Sequence, residues 1–169
     1  MKKLIIIYFL IFNSFCSYSQ TNEKIEHLLD EILLIDGNYN NIIESKQANE
    51  LISYGEKILP KLTFFFTSLE ISKLSYKCYN YNFTKGEISI MIAERIEPIP
   101  NFKIKYPVEN YLWAGCKGFP KWVNYNIQKI RVGGLEQFKL IYTKWLNSSK
   151  RKRINRKNKR KLKKMKKHL

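Results

Sequence analysis

The stretch "SKQANELISYGEKILPKLTFFF", residues 45–66, constrains the fold more than any other part of this chain. Ala48, Leu51, Ile52, Gly55, Ile58, Leu59, Leu62, Phe65 and Phe66 advance in steps of three and one, the period of a single buried helical face. Pro60 excludes one unbroken helix over that span. Its ring opposes the carbonyl four residues earlier, and its nitrogen has no proton to donate. A break at Tyr54-Gly55 removes the conflict, because Pro60 then falls near the first turn of a second helix. The stretch predicts two helices meeting at Gly55.

The flanking segments extend a mainly α pattern. Asn22 is a suitable N-cap, Glu23 and Glu26 follow in the first turn, and Ile25, Leu28, Leu29 and Ile32 keep helical spacing. Asp36-Gly37 ends that helix, and "NYNN", Asn38 to Asn41, reads as the turn. Thr84 and Glu87 form a capping box ahead of Ile88, Met91, Ile92 and Ile96, with Pro98 as the stop. "LSYKCY" alternates Leu74, Tyr76 and Cys78 with polar residues, and "FKIKY" alternates Phe102, Ile104 and Tyr106 with lysines; both fit short strands. "YLWAGCKGFPKWVNY" reads as a loop pinned by aromatics. After Gly133-Gly134, a further helix aligns Leu135, Phe138, Ile141, Tyr142 and Trp145.

"YGEKILPKLTFFF" resembles the opening of the inner helix in HEAT-like repeats, helix pairs that stack into solenoids. "NFTKGEISIMIAERIEPIP" is similar to a following helix in small exported proteins of Bacteroidota-type bacteria. The resemblance covers roughly residues 45–100. It implies HEAT-like helix pairs presenting a binding surface, and brings no catalytic residues with it.

The two ends of the chain differ from its middle. Lys2 and Lys3 precede nine apolar residues, Leu4 to Phe12, and Ser17-Tyr18-Ser19 has the small-x-small form of a signal-peptidase site. A nine-residue helix spans roughly 14 Å, about half a bilayer core, so cleavage fits better than anchorage. Lipidation at Cys16 is disfavoured by Phe15, since a small residue normally precedes a lipobox cysteine. The expected division is a signal peptide at 1–19, a helical domain at 20–149 and a polybasic tail at 150–169. This places the protein outside the cytoplasm, periplasmic or extracellular.

The net charge of +17 belongs to the ends: 13 of the 31 Lys and Arg lie in the tail and two in the signal peptide. Residues 20–149 thus hold 16 basic against 14 acidic residues and are close to neutral. A dedicated nucleic-acid fold would spread its basic charge over a domain face. The bias of 25 Lys to 6 Arg also departs from readers of phosphate and bases, which lean on the planar guanidinium fork.

Catalytic chemistry finds little support. A nucleophile needs a base within reach, and the two histidines are His27, inside the first helix, and His168, next to the last residue. "AGCKG" around Cys116 lacks the flanking Ser or Thr, Arg and His-Gly of exported cysteine transpeptidases. Cys78, Cys116 and His27 lack the paired spacing of zinc ligands. Cys78 and Cys116 are the even pair left after cleavage, and an oxidising compartment permits one disulfide between them. Glu87 and Glu94 share a helix face and read as solvated surface. Trp113, Phe119 and Trp122 fit a small core beneath their loop better than a binding platform. No cofactor is expected.

The tail carries Lys150, Arg151, Lys152, Arg153, Arg156, Lys157, Lys159, Arg160, Lys161, Lys163, Lys164, Lys166 and Lys167. Three readings apply: a disordered or helical extension without a partner, attachment to an anionic envelope surface, or nucleic-acid binding. Ile154, Leu162, Met165 and Leu169 make only a thin apolar stripe, which argues against deep insertion. The expected function is therefore that of an exported, non-enzymatic helical protein. It would bind a protein partner or an anionic envelope surface, with attachment through the tail. The alternative is a polyanion or nucleic-acid binder outside the cytoplasm, and the third reading is a cell-envelope hydrolase.

Overall fold

The computed structural model describes residues 22–37, 39–76, 81–100 and 123–165. The described chain is mainly helical with one small antiparallel sheet, as the sequence pattern predicts. Helix α1 covers residues 22–33 and buries Ile25, Leu28, Leu29 and Ile32, its expected face. Asn22 lies within this helix, and its Oδ1 makes no hydrogen bond, so it does not act as the cap. Gly37 takes a φ of 125°, and Tyr39–Ile43 form a short helix, α2, where the asparagines predict a turn. Burial of Tyr39, Ile42 and Ile43 outweighs the turn preference of their neighbours.

Helix α3, Lys46–Ser53, is capped by Ser45, whose Oγ accepts from the Ala48 N–H at 3.1 Å. The chain breaks where Pro60 requires it. Gly55 adopts φ 64°, a 3-10 turn runs Gly55–Ile58, and α4, Leu59–Leu62, holds Pro60 in its first turn. Successive turns over residues 63–67 carry Phe66 into the core. Strand β1, Ile71–Tyr76, pairs with β2, Tyr81–Thr84, in a register that shifts between Ile71 and Ser75. The predicted strand at Leu74 and Tyr76 is thus β1; Cys78 and the segment at Phe102 to Tyr106 lie outside the described residues.

Helix α5, Lys85–Ile96, is the axis of the fold, with every residue from Lys85 to Ala93 buried. It packs on α3, α4 and β2. Its capping box forms as the sequence predicts: Glu87 N–H donates to Thr84 Oγ1 at 3.2 Å and Thr84 N–H to Glu87 Oε2 at 2.9 Å. Gly86 permits the close passage of the preceding turn, since a Cβ there would meet the Phe66 carbonyl carbon and the Ser68 oxygen at 2.9 Å.

A π-helical turn, Val123–Ile127, leads into α6, Gln128–Gly133, and then α7, Leu135–Leu146. The apolar face of α7 is the expected one. Phe138 and Tyr142 stack on each other at 5.9 Å and meet Phe66 as tilted pairs at 5.7 and 5.2 Å, joining α7 to the turns that follow α4. The basic segment is a helix, α8, Ser149–Met165.

Candidate anionic-surface interface

Helix α8 begins as a continuation of the fold. Asn147 ends α7 in a helical conformation, and Ser148 starts the next helix by accepting the Arg151 N–H on its Oγ at 3.2 Å. Arg151 then turns inward. Its guanidinium donates to Glu97 Oε2 at 3.1 and 2.7 Å and to Glu97 Oε1 at 3.2 Å, to Glu56 at 3.3 Å and to the Leu146 carbonyl at 3.2 Å. It also lies 5.4 Å from the Trp145 ring centre. One turn on, the Asn155 side-chain amide donates to Glu56 at 3.0 Å. Its hydrogen bonds to Glu97 hold the Arg151 guanidinium above its ordinary range, against the opposing effect of burial.

The remaining described side chains of α8 face water. Lys150, Lys152, Arg153, Arg156, Lys157 and Arg160 are all exposed, while Arg151 and Asn155 are half-buried. Exposed cations and docked residues thus occupy different sides of one helix. Of the other sequence-predicted cations, Lys159, Lys161, Lys163 and Lys164 belong to α8 by backbone, and Lys166 and Lys167 lie outside the described residues. Among the exposed cations, Ile154 is the single exposed large apolar side chain of the described part of α8. The helix as described therefore offers a charged surface with little to insert into hydrocarbon.

Arg151 was the basic residue that composition alone could not separate from its neighbours. The signal lay elsewhere, in Glu97. An acidic group at a helix C-terminus opposes the helix dipole, and α5 ends on Glu97. Its N-terminus shows the converse, with Lys85 in the first position. Both unfavourable charges are offset by distant partners. Lys85, with a side chain only 3% exposed, reaches Asp30, Glu70 at 3.0 Å and Glu26 at 3.7 Å. Burial would lower the Lys85 ammonium, but its hydrogen bonds to Asp30 and Glu70 prevail and raise it.

The two carboxylates expected on a solvated face are instead committed to the interior. Glu87 is 1% exposed and takes the Arg131 guanidinium on both oxygens, at 2.7 and 2.6 Å. Arg131 also lies 3.6 Å from the Tyr81 ring centre. Glu94 is half-buried, accepts the Ile99 N–H, and burial pushes its carboxyl up to about 7. Tyr142, whose hydroxyl makes no hydrogen bond, is pushed up by burial and then by Glu97.

Cys78, Cys116, Trp113, Phe119, Trp122 and His168 lie outside the described residues. His27 is exposed on α1, 3.7 Å from Glu31. Among the described residues, no three His, Cys, Asp or Glu side chains are grouped to hold a metal, and no helix is long and apolar enough to cross a membrane. No family model, curated protein or solved structure matches this chain.

Proposed function

We propose that this is an exported, non-enzymatic helical protein that attaches to an anionic surface of the cell envelope through α8. The observation that carries this reading is the exposed cationic side of α8, set on a root fixed by Glu97 and Glu56. A helix held at its base presents its cations together, so less side-chain and backbone freedom is lost on contact than for a loose tail. Each basic residue near an anionic bilayer contributes about 1 kcal/mol, falling away within a Debye length. The near-neutral body adds little repulsion or attraction of its own. The helix pair that meets at Gly55 supports a HEAT-like surface as the place for a protein partner.

Co-sedimentation of the full chain with phospholipid vesicles tests the attachment. Binding to phosphatidylglycerol-containing vesicles and none to phosphatidylcholine vesicles is expected, with loss as salt rises. Replacing Arg153, Arg156, Lys157 and Arg160 by Ser removes about 4 kcal/mol of attraction, a weakening on the order of a thousandfold. Equal binding to both vesicles, or binding indifferent to the four substitutions, overturns the reading. Retention of duplex DNA in place of vesicles at the same salt favours the nucleic-acid alternative.

A further inference from the structure

Away from the root of α8, the surface has the opposite character. A cleft of about 560 Å³ opens between the end of α1 and the start of β1. Leu33, Leu34 and Ile71 give it apolar walls, and Asp30, Glu31 and Glu70 give it an acidic rim. Leu34 is 67% exposed and Ile71 72%, and the two lie together in the cleft wall rather than singly on the surface. Glu26 stands beside the rim, 3.7 Å from Lys85. The carboxylates of this region outnumber its cations, Lys73 and the buried Lys85.

Helix α5 separates the cleft from α8. Lys85, which gathers Asp30 and Glu70 at the cleft, opens α5, and Glu97, which grips Arg151, closes it. Twelve residues at a rise of 1.5 Å put these ends roughly 18 Å apart. A straight helix rooted at Glu97 is therefore badly placed to fold back into the cleft of its own molecule. A second copy has no such constraint.

We propose that the cleft receives the basic helix α8 of a second copy of this chain, giving a head-to-tail contact. Charge complementarity selects this occupant: an acidic rim around apolar walls meets a cationic helix that carries Ile154, with Leu162 and Met165 at further helical spacing in the sequence. Beyond the docked Asn155, Arg156, Lys157, Asn158 and Arg160 are exposed and accessible to another molecule. A symmetric pairing of α8 with α8 would set like charges against one another. A head-to-tail contact avoids this, and screening limits repulsion between the two bodies to about 8 Å at physiological salt. Two copies that exchange helices reciprocally close as a dimer, and one-way exchange extends to longer chains or rings.

The test uses the full chain and two variants, with mass measured by light scattering at roughly 0.05 M and 1 M salt, either side of physiological screening. The cleft variant is Glu31→Lys with Leu34→Ser and Ile71→Thr, which keeps the Lys85 ion-pair partners Glu26, Asp30 and Glu70 in place. The helix variant is Arg153→Glu, Arg156→Glu, Lys157→Glu and Arg160→Glu, which leaves Arg151 in place. Circular dichroism confirms that each folds. The unsubstituted chain is expected to gain mass with concentration at low salt and to return to monomer at high salt. Each variant alone stays monomeric, because it keeps only one half of the contact. Their mixture forms a complex of twice the monomer mass and stops there, since the one intact cleft and the one intact helix are consumed. A chain monomeric at low salt, a variant that assembles as the unsubstituted chain does, or a mixture that remains monomeric overturns the proposal. Vesicle binding by the cleft variant is unchanged if the attachment reading holds, so the two fail separately.

Discussion

Glu94 and Arg131 are the residues whose behaviour sequence periodicity describes least well. Both carboxylates of α5 fall at spacing that suits a wet face, yet burial depends on what other elements place over them. Glu94 is held near neutrality by its surroundings, which push its carboxyl up to about 7. The native state then keeps a proton that the unfolded chain releases near 4.5, so stability falls as pH rises between those values and stays low above them. Glu94→Gln keeps an acceptor for the Ile99 N–H and removes the charge. Thermal melts across pH should show the decline flattened in the variant, with a gain of about 2 kcal/mol at pH 8 after allowing for partial solvent access. Glu87 presents the opposite case, a charge that needs its partner. Arg131→Met strands a carboxylate that is 1% exposed, and urea unfolding should register a loss of about 3–5 kcal/mol. A variant as stable as the unsubstituted chain would show that Glu87 is neutralised or satisfied by other means.

Elements were more legible than residues, because local rules act over a few positions. The Gly55 break, Pro60 in the first turn of α4, the Thr84–Glu87 capping box and the apolar face of α7 all follow from spacing and backbone chemistry. The sheet was legible only in part. Leu74 lies in β1 as its alternation requires, but β2 is four residues long, too short to show a period, and it runs straight into the cap of α5. Gly86 left no sequence signal because its role is a crossing between elements. Its N–H donates to the Ser68 carbonyl at 3.1 Å, and its missing side chain lets that turn lie against α5. Intrinsic helix propensity favours Gly86→Ala. Contact with the Phe66 and Ser68 carbonyls opposes it and should prevail, costing about 1–3 kcal/mol of unfolding free energy. Gly55→Ala is the useful control, since nothing lies within 4 Å and only its φ of 64° resists the change.

At the scale of the whole molecule, the polybasic tail separates into a root that belongs to the body and a remainder that meets solvent. Composition cannot draw that line, since Arg151 and Arg153 sit in one uninterrupted run of cations. Chain separation explains why: Arg151 meets Glu97 across 54 positions, and Asn155 meets Glu56 across 99. Removal of residues 149–169 therefore does more than remove charge. It leaves Glu97, with a side chain 13% exposed, beside the Tyr142 hydroxyl region without its cation. The truncated chain should lose about 2 kcal/mol, since Glu97 at a helix end relaxes toward water more readily than a fully buried acid. For a chain of this size that corresponds to a fall in melting temperature of roughly 4–8 °C. Replacing Arg153, Arg156, Lys157 and Arg160 by Ser removes exposed charge and leaves the root intact, so its melting temperature should match or exceed that of the unsubstituted chain. Relief of repulsion between like charges one turn apart on α8 acts in that direction. A truncation that melts with the unsubstituted chain would mean that Arg151 contributes nothing to the body, and α8 would then be joined to it by the chain alone.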